Sequence, residues 1–414
     1  MQACGIDFGT SNSTVGVASV SGADLLALEG DAVTLPSAVF WHEDGVAEFG
    51  RAAIAAYVNR EDGRLMRGLK STLGSSLITE RTRVGNKALS FREVLARYIG
   101  HLRARLVASA GNVPAVVMGR PVHFVEDDAD GDARAEAVLG EIAREVGFRE
   151  VAFQYEPIAA ALHYESSVAA EELVLIVDIG GGTSDVSLVR VGPNLRAKAD
   201  RAADILGNDG IRVGGTDFDR LLSLAEVMPH LGFGTPTGGG RGIMPRHYYL
   251  DLATWHRINF LYTQRVAADL KALRHTADRP ELLDRLIRLV SDRQGHALAM
   301  EVEAAKIALS EADAVRLMLA RLTGGPNPMA SRAGFETAVA APLARIADLL
   351  RAVLAQGGVA PDQVGTVFLT GGSSQLPILH AVVQQVLPGV RLATGDMLGS
   401  VGTGLALDAA RKFA

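Results

Sequence analysis

The sequence predicts an α/β fold with two similar lobes facing a shared cleft, and three observations predict it. Residues 173–189, LVLIVDIGGGTSDVSLV, read as a strand, a glycine hairpin and a second strand; the same device recurs near the N-terminus; and strand-like apolar runs alternate with amphipathic helices along the rest of the chain. The β-branched run 173–177 suits a strand buried on both faces, and Asp178 follows where it stops, so this acid faces a site and not a core. Gly180, Gly181 and Gly182 are expected to let the chain turn back with φ > 0 and bring main-chain N–H groups close to a ligand, while Thr183 adds a hydroxyl and Asp185 a second carboxylate. The element is a phosphate-gripping hairpin and not a P-loop, because the G-x-x-x-x-G-K-[ST] pattern is absent.

In the first copy Asp7 precedes Gly9, Thr10, Ser11 and Asn12, and β-branched residues resume at Val15 and Val17. Asp7 and Asp178 lie 171 positions apart. One D-x-G-T alone reads as an ordinary turn, whereas two at that distance predict a duplication in which each lobe offers an acid and a phosphate loop.

A chain of 414 residues is long enough for two to three domain-sized units. Its 41 basic and 47 acidic residues give a net charge of −6, which argues against general nucleic-acid binding. Hydrophobic residues at 48% and charged residues at 21% are ordinary globular values. No apolar run reaches the length of a membrane span, and a strand beginning almost at Met1 leaves no room for a signal peptide. A single cysteine, Cys4, rules out an intramolecular disulfide; the expected location is the cytoplasm.

After the first hairpin, residues 24–28 and 32–41 read as further strands, and residues 49–73 as helical up to a glycine turn containing Lys70. Taken alone, Lys70 reads as a solvated surface charge. Phe91–Ala110 is an amphipathic helix with Leu95, Ile99, Leu102 and Leu106 on one stripe. A strand at 115–119, a helix at 130–146 and a strand from Val151 follow, and Glu156-Pro157 then opens an alanine-rich helix. Glu156 by itself reads equally well as an acid favoured by the helix dipole. Past the central hairpin, VGGTDFD at 213–219 combines a tight turn at Gly214 and Gly215 with a helix cap. The glycine- and proline-rich stretch 229–245 reads as a flexible loop, and residues 248–313 as mainly helical. There Glu303, Lys306 and Ser310 share one helix face, ordinarily a solvated stripe. No histidine spacing points to a metal centre. Residues 335–354 form a helix restarted at Pro342, residues 364–370 a buried strand, and Gly371-Gly372-Ser373 a second glycine turn. The small-residue helix at 400–406 mirrors the alanine-rich helix after Glu156.

With two D-x-G-T hairpins, a GGS turn and two small-residue helices in this order, the chain resembles the actin-like ATPase superfamily. GIDFGTSNS, YEPIAAAL, VDIGGGTSDVSL, VGGTDFD, the E-x-x-K-x-x-x-S of 303–310 and LTGGSSQLP look like the nucleotide-binding domain of the heat-shock protein 70 (DnaK) chaperones. FQYEPIAAAL, the helical stretch between 229 and 300 and the absence of a peptide-binding domain are most similar to the YegD-like group of short chaperones. The resemblance implies two ribonuclease-H-like lobes, residues 1–167 with a small subdomain at about 38–89 and residues 168–414 with a helical subdomain at about 215–313. It implies a Mg-ATP or ADP site in which Asp7 and Asp178 hold Mg²⁺, largely through water. Gly9, Thr10, Ser11, Asn12, Gly181, Gly182 and Thr183 would line the phosphates. Lys70 would face the γ-phosphate, with Glu156, Asp185 and Thr183 completing the catalytic set. Gly214, Gly215, Glu303, Lys306, Ile307, Ser310, Gly371, Gly372, Ser373 and Gln375 would hold the nucleoside.

Three positions depart from that family. Ile307 and Gln375 replace arginines that flank adenine, and Asn12 replaces a tyrosine near the phosphates. The activity implied is slow ATP hydrolysis in a nucleotide switch, in which ATP closes the two lobes, hydrolysis or release reopens them, and a protein client or co-chaperone reads the motion, with no nucleic-acid or membrane partner. Alternatives are a small-molecule kinase of the sugar or acetate type, a filament-forming actin-like scaffold, and a non-hydrolysing nucleotide sensor.

Overall fold

The structure, a computed structural model, describes residues 2–19, 22–84, 87–196, 198, 201–395 and 399–413. The chain divides into two compact units, one of residues 1–215, 345–375 and 379–414, the other of residues 216–344 and 376–378. The fold is mixed α/β with several sheets.

The first unit contains two large sheets of the same strand order. The first comprises β1 (Ala3–Phe8), β2 (Asn12–Ser19), β3 (Gly22–Leu25), β4 (Ala115–Arg120) and β5 (Glu150–Tyr155), in the order β3-β2-β1-β4-β5, with Thr34–Pro36 pairing to β2 off this path. The second comprises β6 (Glu172–Ile179), β7 (Ser184–Val191), β8 (Ile205–Ile211), β9 (Thr366–Thr370) and β10 (Arg391–Thr394), in the order β8-β7-β6-β9-β10. In both, the central strand pairs antiparallel with its hairpin partner and parallel with the strand on its other side. β1 and β6 therefore lie inside their sheets, and their apolar runs are buried.

Two helices cover these sheets. Glu156–Glu165 carries Pro157 in its first turn and a run of buried alanines, and Ser400–Lys412 packs along it and over β1 and β2. Small residues set this distance. A Cβ on Gly404 would run into the carbonyl of Ala159, and one on Gly402 into the Thr14 hydroxyl.

The expected helix across residues 49–73 is shorter. It spans Gly50–Val58 and ends before Arg60, which has φ 60°. A strand, Gly63–Arg67, then pairs antiparallel with Ala38–His42, placing Leu65 opposite Phe40 in a small core with Ala38, Ala53 and Ala56. Pairing overrides local propensity here, since GRLMR has little β character of its own. Gly68, in the left-handed region at φ 68°, turns the chain into the 3-10 segment Leu69–Thr72 that carries Lys70.

The second unit is mainly helical, with Gln264–Thr276, Pro280–Ser291 and Gly295–Ala308 as its longest helices. The stretch read as a flexible loop contains a short hairpin in which Pro236–Thr237 pairs with Gly242–Ile243. Its turn glycines, Gly238 to Gly240, all have positive φ, and the N–H groups of Gly239 and Gly240 donate to the Asp278 carboxylate at 2.8 and 2.9 Å. The distant Asp278 is what sequence reading missed. Residues 332–357 form two helices, Arg332–Ala338 and Ala340–Gly357, with Pro342 in the first turn of the second.

Candidate active site

Within the first unit, the two hairpins, the Lys70 turn and the start of the Glu156 helix converge. A Cβ on Gly181 would run into the Ser11 hydroxyl, and one on Gly182 would lie 2.9 Å from Thr10 Oγ1 and 3.6 Å from Ser71 Oγ. Gly180, Gly181 and Gly182 do not take the positive φ expected of them; the hydroxyl-bearing loop of one hairpin instead rests against the backbone of the other and leaves little room for a side chain at Gly181 or Gly182. Gly214 closes the same spot, its Cβ position being 2.6 Å from the Gly182 nitrogen, and the Gly215 N–H donates to Gly180 O at 2.9 Å. From the 371–375 turn, a Cβ on Gly371 would sit 2.6 Å from Asp178 Oδ1, and the Ser373 hydroxyl donates to Gly180 O at 3.5 Å. Gly372 and Gln375 are exposed on that turn. Gly9 O accepts the Ser37 hydroxyl at 2.7 Å, and Asn12 opens β2 opposite Pro36.

The two hairpins differ in charge. Asp178 pairs across its ladder with Asp185, whereas Asp7 pairs with Thr14. Like charges directly opposite one another are unfavourable in a sheet, so something else must hold the pair together. The Val122 N–H donates to Asp185 Oδ1 at 2.6 Å, and Thr183 also hydrogen-bonds Asp185. Lys70 Nζ donates to Glu156 Oε1 at 2.5 Å, with both side chains buried.

Four carboxylates thus surround one ammonium. Burial, and then the negative charge of Glu156, push the Asp7 carboxyl up to about 7. The same two causes raise Asp185 to about 7. Asp178 is raised well above the usual carboxylate range by burial and by Glu156, Asp185 and Asp7. For Lys70, burial pulls downward, but Glu156, Asp7 and Asp185 outweigh it and hold the ammonium above its ordinary value. A buried, oxygen-lined site short of positive charge has the donor chemistry of a hard divalent cation such as Mg²⁺, while among the described residues no three acids or histidines are grouped closely enough to hold an ion by themselves, so water or phosphate oxygens would complete its shell.

This electrostatics has a measurable sign. Acids raised from an unfolded value of 3.8 to about 7 stabilise the fold below pH 4, and that contribution is lost as pH rises to 7. The ligand-free protein is expected to lose stability from pH 4 to 7. Mg²⁺ bound there would be held more tightly as pH rises over 6–8 and the carboxylates release protons, which calorimetry in buffers of different ionisation enthalpy would record.

The remaining expected residues lie in the second unit, on and just after the helix Gly295–Ala308. Lys306 is buried and paired to Asp219 Oδ1 at 2.8 Å, Glu303 and Ser310 are half-buried, and Ile307 is 62% exposed. Asp219 was missed as a functional candidate. Its signal was present, since it lies one turn beyond Gly215 on the same helix face.

Comparison with known proteins bears on this arrangement. Residues 96–222 match the family model described as MreB/Mbl protein, and residues 283–403 match that described as Hsp70 protein. The chain is similar to the chaperone protein HscA of Citrobacter koseri, 26% identical over 98% of this chain and 58% of the relative. HscA of Pectobacterium carotovorum subsp. carotovorum gives the same figures. The HscA homolog of Aromatoleum aromaticum is 32% identical over 53% of this chain and 36% of its own length. The chain is homologous to the actin-like ATPases and the Hsp70 chaperones.

The chain spans somewhat over half the length of the HscA proteins it matches. The actin-like match takes in Glu156, the central hairpin and the Gly214-Gly215 turn, and the Hsp70 match takes in Glu303 to Ser310 and the 371–375 turn. Among the described residues, no helix is long and apolar enough to cross a membrane.

Proposed function

We propose that this Hsp70 homologue binds Mg-ATP and hydrolyses it slowly, and that nucleotide state switches its conformation for a protein client or co-chaperone. The observation that carries this reading is the convergence of two acid-bearing glycine hairpins on the buried Lys70–Glu156 pair. Asp7 and Asp178 would hold Mg²⁺, which when bound would neutralise charge on the phosphates. Thr10, Ser11 and Thr183 offer hydroxyls to phosphate oxygens, and Gly181 and Gly182 offer main-chain N–H groups.

Lys70 is held charged, so it can meet negative charge building on the γ-phosphate. The Glu156 carboxylate is already engaged by the Lys70 ammonium. Asp185, with a proton affinity near neutrality and its orientation fixed by the Val122 N–H, is the better candidate to take a proton from the attacking water. Glu303, Lys306, Ile307, Ser310, Gly215, Gly371, Gly372, Ser373 and Gln375 are assigned to the nucleoside by family resemblance. The matching strand order of the two large sheets supports a duplicated, ribonuclease-H-like design with the two small-residue helices as its hinge.

The deciding test is steady-state phosphate release from Mg-ATP by the purified chain and by Asp7→Asn. Slow release in the wild type, reduced about a hundredfold or more in the variant, is the expected result. Tight nucleotide binding without turnover in either protein would overturn hydrolysis and leave a nucleotide sensor.

A further inference from the structure

The turn carrying Lys70 is held from the other side of the first unit by an arginine outside the candidate catalytic set. Arg212 follows β8 and precedes Val213-Gly214-Gly215, the turn that closes against Gly182. Its guanidinium donates through Nη2 to the carbonyl of Ser71, the residue after Lys70, at 3.4 Å. Its main-chain N–H donates to Glu126 Oε1, and Glu126 Oε2 accepts from Arg345 Nη2 at 2.7 Å. The arginine is therefore anchored at its backbone by one carboxylate, which is itself held by a second arginine. Its side chain reaches the one segment whose placement decides where the Lys70 ammonium sits.

Local structure alone holds the Lys70 turn weakly. It is a four-residue 3-10 segment entered through left-handed Gly68, and its local side-chain ties are Thr72 Oγ1 donating to Leu69 O and Ser75 Oγ donating to Thr72 O. A single turn of this kind has little stability of its own. Tertiary ties must supply the rest, and the Lys70–Glu156 pair and the Arg212–Ser71 bond approach it from different elements.

We propose that Arg212 is a positioning residue for Lys70: it latches the Lys70–Ser71 turn against the Gly181-Gly182 hairpin, so that the ammonium is in place when charge develops on the transferred phosphate. This inference rests on the nucleotide reading above for its kinetic consequence but not for its structural one. Arg212→Ala is expected to lower the phosphate-release rate about tenfold with KM for Mg-ATP unchanged, because a displaced cation weakens the transition state more than the ground state. In a Lys70→Ala background the same substitution is expected to cause no further loss, and Arg212→Lys to restore part of the rate.

A second readout needs no turnover. Lys70 is 7% exposed, so in the intact chain an N-hydroxysuccinimide acetate ester should acylate it far more slowly than the exposed Lys271. Mass spectrometry of Arg212→Ala should find Lys70 acylated about tenfold faster, with Lys271 unchanged and the melting profile retained. If Lys70 stays as protected as in the wild type, or if Arg212→Ala costs a further tenfold in the Lys70→Ala background, the latch is overturned. A wild-type chain that does not hydrolyse ATP, but whose Lys70 is unmasked by Arg212→Ala, would overturn the hydrolytic reading and leave the latch standing.

Discussion

Replacing Gly404 by valine is expected to destabilise the protein by about 3 kcal/mol or more, read as a fall in the urea midpoint at unchanged slope. The reason is backbone against backbone. Even the first carbon of a side chain at this position meets the carbonyl and Cα of Ala159 on the facing helix, and neither can rotate away as a flexible side chain would. The helices Glu156–Glu165 and Ser400–Lys412 would have to separate, exposing the buried alanines 159–161 and Leu405 that they share with the ends of both sheets. Gly100→Ala is the control. Gly100 lies within the helix Phe91–Ala110, its Cβ position meets only Val146 Cγ1 at 3.6 Å, and alanine there should stabilise by up to about 1 kcal/mol. Equal losses for Gly404→Val and a valine at Gly100 would show that helix propensity, and not the close crossing, sets the effect.

The second large effect is expected from Lys70→Ala. It removes the one ammonium from among Asp7, Glu156, Asp178 and Asp185 and leaves Glu156 buried without its partner. Breaking a buried pair from one side ordinarily costs about 3–5 kcal/mol. The loss should depend on pH in a defined direction. Asp7 and Asp185 already take protons up to about pH 7, so acidification relieves the repulsion that Lys70 no longer offsets, and the variant should be closer to wild type at pH 5 than at pH 8. On the proposed chemistry, phosphate release should fall about a thousandfold, since the preorganised charge assigned to the developing transition state is lost. Denaturant titrations at the two pH values separate the components. A destabilisation that does not change with pH would sink the electrostatic account, and undiminished turnover would remove Lys70 from the proposed chemistry.

The parts of the fold that were legible in the sequence are those whose signals are local. The helix Phe91–Ala110 was readable from its stripe of Leu95, Ile99, Leu102 and Leu106, and the structure closes its start with a capping box of Ser90 and Glu93. The central hairpin was readable because an apolar β-branched run, an acid and three glycines leave little else for the chain to do. The strand Gly63–Arg67 and the Gly238–Gly240 hairpin were not readable in the same way. Each depends on a partner elsewhere, Ala38–His42 for the first and Asp278 for the second.

The same division runs through the candidate site. The chemical inventory belongs to the sequence by itself: two acids near the ends of buried strands, glycines where backbone must approach backbone, hydroxyls beside them, and small residues where two helices cross. Tertiary structure decided what those groups are to one another. Lys70, read alone as a surface charge, is buried against Glu156 86 positions away. Asp185 gains its orientation from the backbone of Val122, Lys306 is matched to Asp219, and the Lys70 turn is tied to Arg212. Periodicity and turn chemistry act over a few residues. Proton affinities are set by burial and by charges brought within a few ångströms, and those distances exist only once the sheets, helices and turns have packed.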